Sequence, residues 1–144
     1  VQSCTANVEN QKAVVTVDSF GPEAHLEGCH DDLVAAFINL ITNALDASTS
    51  EPNITISSRI RNNRLAVIQI ADRGCGIPAK AIDRIFDPFF TTRAAGNGLG
   101  LAVVAGTIAQ HGGTIRAVNR PGGGAEFTIL LPITPAFETP AEVV

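Results

Sequence analysis

Aromatic residues, long apolar runs and excess positive charge are all scarce in this chain. Aromatic side chains make up 5% of the 144 residues, so the core that a hydrophobic content of 45% can form must be mainly aliphatic. No apolar run approaches the roughly 20 residues that span a bilayer, and the N-terminal residues show no charged segment followed by an apolar stretch. The formal net charge of −4 argues against nucleic acid or an anionic membrane as the main partner. We therefore expect one cytoplasmic domain.

Several familiar motifs are missing as well. The three cysteines, Cys4, Cys29 and Cys75, are odd in number and widely spaced, so they make neither a C-x-x-C pair nor a disulfide framework. No G-K-[ST] sequence occurs, which excludes the P-loop arrangement. The glycine cluster at residues 96–100 reads G-x-G-x-G, not the G-x-G-x-x-G of dinucleotide-binding proteins, and no strand precedes it.

The residue pattern predicts an α+β fold. Alternating and β-branched segments predict five strands, at residues 13–19, 53–60, 65–71, 114–119 and 125–131. Helices are predicted from Asp31 or Asp32 to about Ala47, after Pro78 as far as Asp87, and from the glycine-rich stretch to Gln110. Helices interleaved with hairpin-connected strands indicate a two-layer α/β sandwich, with a mixed, mostly antiparallel sheet and helices on one face. We expect one domain over residues 1–132 and a tail or linker over 133–144.

The first predicted helix carries polar residues where a solvated face or a site could lie. At about 100° per residue, one arc is apolar and is expected to face the sheet; its members are Leu33, Val34, Phe37, Ile38, Leu40, Ile41 and Leu45. Asn39 and Asn43 lie on the opposite arc, four residues apart, with Asp32 and Asp46. These amides form either a solvated polar face or the lining of a polar cavity, where an amide oxygen can bind Mg²⁺.

Two further segments invite both a structural and a functional interpretation. Asp72-Arg-Gly74-Cys-Gly76-Ile77 directly follows a strand. It is either an ordinary D-x-G turn or a site where a carboxylate accepts the exocyclic amine of adenine beside closely approaching backbone. The glycines of residues 96–100 enter a helix, where free N–H groups can bind an anion or simply belong to a flexible loop. Residues 86–93, with three phenylalanines before two threonines and an arginine, predict a mobile flap or a core segment.

In this order, these motifs resemble the catalytic ATP-binding domain of sensor histidine kinases, in the superfamily of DNA gyrase, the Hsp90 chaperone and the MutL repair protein. The resemblance covers roughly residues 12–132 and extends to His111-Gly-Gly113 and the strand that ends at Leu131-Pro132. It implies an α/β sandwich that holds ATP between helices and a mobile lid. Asn43 matches the magnesium ligand, and Asn39 matches its neighbour near the phosphates; both are the expected catalytic residues.

The resemblance also implies roles for the remaining site residues. Asp72 matches the adenine-reading carboxylate, and Gly74, Gly76 and Ile77 shape the base pocket. The expected lid and phosphate cradle consists of Thr92, Arg93, Gly96, Gly98, Leu99, Gly100 and Leu101. Phe86, Phe89 and Phe90 match lid anchors.

The resemblance favours kinase over ATPase chemistry because hydrolysing relatives place a glutamate base where this chain has Asn39. Asp46 stands where many relatives have a lysine, and Ala125 where a hydroxyl residue is usual. These two departures leave open a non-catalytic, nucleotide-sensing module as an alternative to the kinase, beside an ATPase.

None of the three histidines matches a phosphoacceptor, which in the family lies on a separate helical hairpin. The implied partners of this chain, itself expected to be monomeric, are the dimerisation and phosphoacceptor domain of a homodimeric, in some cases membrane-anchored, parent kinase and a response regulator.

Overall fold

The computed structural model describes residues 2–8, 11–20, 24–48, 51–90 and 100–134, and within these ranges it contains six strands and two helices. In chain order they are β1 (Gln2–Val8), β2 (Gln11–Phe20), α1 (His30–Ala47), β3 (Asn53–Arg61), β4 (Leu65–Asp72), α2 (Gly100–Gln110), β5 (Thr114–Asn119) and β6 (Ala125–Pro132). The predicted division of the chain into residues 1–132 and 133–144 stays a prediction, because residues 135–144 lie outside the described ranges.

The strands form one mixed sheet in the order β1-β2-β3-β4-β6-β5. Each neighbouring pair is antiparallel except β2 and β3, which run parallel. A parallel pair needs a crossover connection, and α1 lies in that connection. The predicted mixed, mostly antiparallel sheet is confirmed. The topology places the C-terminal end of β4 beside the N-terminal ends of β3 and β6, since Asp72 is opposite Ile54 and Ala71 is opposite Glu126.

The core lies between the helices and one face of the sheet. Alternate residues of β6, namely Ala125, Phe127, Ile129 and Leu131, are buried, as expected for a strand with one face on a core. Leu40 of α1 and Val104 and Ile108 of α2 join the same cluster and are fully buried. The core is mainly aliphatic, as predicted, with the Phe86 ring edge-on to Phe127 at 6.2 Å between centroids. The two-layer sandwich is therefore confirmed.

The second face of the sheet carries a row of polar side chains across its middle. The strand registers align Ser57, Gln69, Thr128 and Arg116 across β3, β4, β6 and β5. None of these four side chains is fully buried, and Gln69 donates a hydrogen bond to Glu126 at 3.2 Å. No helix in the described ranges is both long enough and apolar enough to cross a bilayer.

Three expectations about the elements were wrong. β1 was not predicted, although Cys4, Ala6 and Val8 alternate with polar residues; these apolar side chains are few and small, and the strand is defined by its pairing with β2. The segment after Pro78 is a chain of turns rather than an α-helix: Ala81 N–H bonds to Pro78 O at 2.8 Å, and Arg84 N–H to Ala81 O at 2.8 Å. These bonds span three residues, and buried Ala81 and Ile85 tie the segment to the core.

The third error concerns α1. Val34 and Ile38 were assigned to the core-facing arc, yet they are 41% and 56% exposed. The centre of the buried stripe is instead Ala36, Leu40 and Ala44, spaced four apart. This stripe marks the side of α1 that packs on the core, and Val34 and Ile38 lie more than about 90° around the helix from it.

Candidate functional site

Among residues 24–48, 51–90 and 100–134, Asp72 is the one charged residue that is buried, with 3% of its surface exposed. It is the last residue of β4. Its Oδ1 accepts hydrogen bonds from the main-chain N–H of Gly74 at 2.9 Å and of Ala125 at 3.1 Å. A buried carboxylate is costly unless it is hydrogen-bonded, and these two bonds meet part of that cost. Both of these bonds end on Oδ1.

The loop after Asp72, residues 73–77, is fastened to the last turn of α1. Cys75 N–H bonds to the carbonyl oxygen of Ala47 at 3.1 Å. A Cβ on Gly74 would overlap that same oxygen, so the approach of loop and helix requires glycine there. Gly76 has φ +73°, which also favours glycine. The segment does form a D-x-G turn, one of the two interpretations of its sequence, but this turn also packs against α1.

This loop is also held by the end of β5 and by the turn that follows β5. Asn119 accepts a hydrogen bond from Ile77 N–H at 2.7 Å and donates one to Ile77 O at 2.7 Å. Arg120 donates from Nη1 to the carbonyl oxygen of Asp72 at 2.8 Å. Gly124 has φ +93°, and a Cβ there would overlap that carbonyl.

These turn residues were not among the predicted site residues. Asn119 was assigned to a predicted strand, and Pro121-Gly-Gly-Gly124 was interpreted only as a hairpin connection. The sequence signal for these contacts was the run of three consecutive glycines, which is more than a hairpin turn needs. In the structure all three adopt positive φ.

The two predicted amides lie on α1 within reach of this loop. Asn39 and Asn43 are half-buried, and Asn43 lies one turn before Ala47, the residue that contacts the loop. The buried residues Ala36, Leu40 and Ala44 mark the side of α1 that packs on the core, and the two asparagines lie beside it. The structure thus places Asp72, Gly74, Gly76 and Ile77 in one loop that contacts the end of α1, with Asn43 one turn and Asn39 two turns before that contact.

The predicted lid is described only at its borders. Thr92, Arg93, Gly96, Gly98 and Leu99 lie outside the described residues, so their assignment stays a prediction. Gly100 begins α2, and Leu101 packs against the core. Of the predicted anchors, Phe86 packs on Phe127 and Phe90 lies 4.8 Å below the Arg84 guanidinium, whereas Phe89 is 76% exposed.

Each of the three histidines lies in the described part of the chain and contacts another residue of the fold. His30 is exposed at the start of α1, 3.2 Å from Asp31, and His25 forms an isolated bridge with Thr134. His111 follows α2, where its Nδ1 lies 2.7 Å from Thr107 O and its Nε2 accepts a bond from Cys29 N–H at 3.0 Å. A carbonyl only accepts and an amide only donates, so His111 is the Nδ1–H tautomer. Its imidazole is committed to joining the two helices.

The chain thus forms a two-layer sandwich. A buried carboxylate and a loop with two glycines lie at one end of the sheet, and the helix that carries the two asparagines contacts this loop. The family profile "Histidine kinase-, DNA gyrase B-, and HSP90-like ATPase" matches residues 28–135. The chain is 43% identical over 103 residues to the signal transduction histidine-protein kinase AtoS of Escherichia coli (strain K12), which covers 72% of this chain and 17% of that protein.

Solved structures give the same result. The catalytic domain of histidine kinase ThkA is 30% identical with a TM-score of 0.75, covering 84% of this chain and 80% of that one. Full-length ShkA in complex with AMPPNP is 25% identical with a TM-score of 0.73, covering 85% of this chain and 26% of that one.

The chain therefore belongs to the family of histidine kinase-, DNA gyrase B- and HSP90-like ATPases. Its relatives are sensor histidine kinases and its structural neighbours are their catalytic domains, which confirms the resemblance and supports ATP as the ligand. The chain spans about a fifth of the length of the curated relatives it matches, 17% of AtoS and 22% of a ZraS.

Proposed function

We propose that this domain binds Mg-ATP at the Asp72 loop and transfers the γ-phosphoryl group to a histidine on a separate phosphoacceptor domain of its parent kinase, in two-component signal transduction. The observation that carries this proposal is the buried Asp72 carboxylate, which accepts two main-chain N–H groups on Oδ1. The AMPPNP complex of ShkA supports a nucleotide as ligand, because the similarity to that kinase covers 85% of the present chain.

The carboxylate gives a reason for choosing adenine. Oδ2 can accept a hydrogen bond from the exocyclic amine of adenine, whereas guanine presents a carbonyl oxygen at the equivalent position. A buried acceptor facing another acceptor leaves both unpaired, and discrimination by an unpaired buried group is large. Ile77, half-buried and packed on the core beside the loop, supplies an apolar surface for the base.

Asn43 and Asn39 fit the phosphate end of the ligand. Magnesium prefers oxygen ligands and retains several waters, so one amide oxygen from Asn43 and phosphate oxygens make a suitable set. When bound, the ion neutralises charge on the phosphates. Asn39, one turn earlier on the same face of α1, would orient phosphate oxygens by its amide.

The residues favour transfer over hydrolysis. Phosphoryl transfer breaks the bond between the γ-phosphorus and the β–γ bridging oxygen, forms a P–N bond to a neutral imidazole and releases ADP, so it depends on positioning and charge neutralisation. Activation of water gains from a general base, typically about 10²–10⁴-fold. Asn39 occupies the position of that base in hydrolysing relatives and cannot accept the proton. We therefore propose slow intrinsic hydrolysis.

The non-catalytic alternative retains two observations. Asp46 is exposed near the end of α1, where many relatives have a cation for the phosphates. The other departure, Ala125, keeps a main-chain N–H bond to Asp72 but lacks the side-chain hydroxyl. That missing hydroxyl adds weaker support to the alternative, since the contact with Asp72 itself is kept.

A transfer assay separates the three activities. The domain is mixed with γ-labelled ATP, Mg²⁺ and the separately prepared acceptor hairpin of the parent kinase. We expect acid-labile phosphohistidine on the hairpin, no label on the domain alone, and passage of the label to a response regulator. Nucleotide-dependent docking without label would favour the sensing module, and fast ADP release without the hairpin would favour an ATPase. Stoichiometric phosphohistidine on this chain alone would contradict the proposed separate acceptor.

A further inference from the structure

We infer that Asn119 is a positioning residue of the nucleotide site: it sets ATP affinity and adenine selectivity by holding Ile77 at a fixed place relative to Asp72. This inference rests on the proposed nucleotide binding, and it deepens that proposal by assigning a residue that acts through the loop.

The hydrogen-bond pair between Asn119 and Ile77 has a specific chemical requirement. The side-chain amide offers one acceptor and one donor in a fixed plane, and it uses them on the N–H and the C=O of the same residue, both at 2.7 Å. The pair therefore imitates the contact of a neighbouring strand. A hydroxyl, a carboxylate or an alkyl side chain would lose at least one of the two bonds.

The position of Asn119 is itself well fixed. It is the last residue of β5 and lies opposite Ala125 on β6. Ala125 N–H bonds to Asp72 Oδ1, and the next residue, Arg120, bonds to Asp72 O. One short segment of the sheet therefore contacts both the start of the loop, at Asp72, and its end, at Ile77.

Gly76 is shaped to this contact. A Cβ on Gly76 would lie 2.9 Å from Asn119 Oδ1, which is closer than real Cβ contacts allow. Its φ of +73° also disfavours any other residue. Gly76 has no side chain with which to hold the loop, and Asn119 supports the loop in addition to the bond from Cys75 N–H to Ala47 O.

The first test is Asn119→Ala, measured by calorimetric titration with Mg-ATP and Mg-GTP. Two lost hydrogen bonds correspond to a Kd for Mg-ATP raised about tenfold. Adenine-over-guanine selectivity should fall, because Ile77 no longer holds the base against Asp72. In the transfer assay KM for ATP should rise, with kcat within about twofold of wild type, since the phosphate end is untouched. The matched control is Thr114→Ala, an exposed residue at the other end of β5, which should bind like wild type.

The second test is Asn119→Asp, whose side chain has the same shape. The ionised carboxylate can accept from Ile77 N–H but faces Ile77 O without a donor, and protonation restores the donor. Because aspartate ordinarily protonates near about 3.9, the ratio of its Kd to that of wild type should shrink as pH falls from about 6 to about 4. The charged groups around the loop, Asp72, Arg73 and Arg120, are present in both proteins, so the ratio removes their effect.

The outcomes distinguish this inference from the proposed function. Absence of ATP binding by the wild-type domain would refute nucleotide binding itself. Wild-type affinity and selectivity in folded Asn119→Ala would refute the role of Asn119 alone. If Asn119→Ala does not fold, the Asp variant decides: recovery at low pH supports positioning, and a pH-independent ratio overturns it.

Discussion

The two ends of strands β3 and β4 are built in different ways. At the hairpin end, Asn62 and Asn63 adopt φ of +54° and +53°, and the turn closes with a main-chain bond from Arg64 N–H to Arg61 O at 3.1 Å. At the Asp72 end, the loop is held by side chains from elsewhere, since Asn119 and Arg120 lie 42 and 48 residues from their partners. We refer to these as the hairpin end and the site end.

The difference separates stability from ligand binding. A hairpin turn needs only local residues that tolerate left-handed backbone, so substitutions there should change stability slightly and binding not at all. The site end keeps a charged group buried and an irregular loop in place by contacts from α1, β5 and β6. Substitutions there should change binding, because the same contacts set the shape of the pocket.

The largest effect is expected for Asp72→Asn. The amide oxygen can still accept from Gly74 and Ala125, so the fold should be kept, but an NH₂ group would face the exocyclic amine of adenine. We expect the Kd for ATP to rise by about 100-fold or more, measured by calorimetry. Circular dichroism melting serves as the folding control. An unchanged Kd in the folded variant would show that Asp72 does not read the base.

Gly124→Ala should have the next largest effect, on stability. The new Cβ would overlap Asp72 O, and φ of +93° is unfavourable for alanine, so we expect a loss of about 3 kcal/mol in the free energy of unfolding. Urea denaturation measures it. The matched control is Gly106→Ala, on α2 with open space around its Cβ, which should stabilise by about 0.5–1 kcal/mol. Equal effects of the two substitutions would contradict the tight packing at the site end.

Asn43→Ala tests the phosphate side of the site. We expect about tenfold weaker ATP binding in Mg²⁺ and little change in EDTA, because only the metal-dependent part of the affinity is lost. Titrations with and without Mg²⁺ measure both. A loss of the same size in EDTA would mean that Asn43 supports the fold of the site rather than the ion.

The smallest effect is expected at the hairpin end, for Asn63→Gly. Glycine adopts φ of +53° without strain, so stability should change by less than about 1 kcal/mol, and the Kd for ATP should equal that of wild type. Denaturation and calorimetry on the same preparation check both. Weakened ATP binding would break the separation between the two ends.

The sequence predicted those parts of the molecule that depend on local pattern. The strands on either side of Arg61–Arg64 were predicted from their alternating apolar residues. Asp72 was singled out because it lies between a predicted strand and two glycines. The end of a helix at Gln110 was also predicted, and after it Gly112 has φ +73° with Gly113 N–H bonded to Ile108 O at 2.9 Å. The family profile and the structural neighbours confirm the resemblance that joined these motifs.

What could not be predicted depends on distant contacts. The bonds of Asn119 and Arg120 to the Asp72 loop connect residues that no local pattern relates. The exposure of Ile38 depends on which side of α1 packs on the core, and the buried Ala36 and Ala44 show which side that is. The turns after Pro78 depend on burial of Ala81 and Ile85 rather than on helical propensity. The assignments of Thr92, Arg93, Gly96, Gly98 and Leu99 to a lid remain predictions.

The most direct test of the account is calorimetric titration of the wild-type domain with ATP and with GTP, each in Mg²⁺ and in EDTA. The account predicts saturable binding of one ATP per chain, tighter in Mg²⁺ than in EDTA, with GTP at least tenfold weaker. Absence of ATP binding by the folded domain, or equal affinity for the two nucleotides, would contradict the central claim that the buried Asp72 carboxylate reads the adenine base.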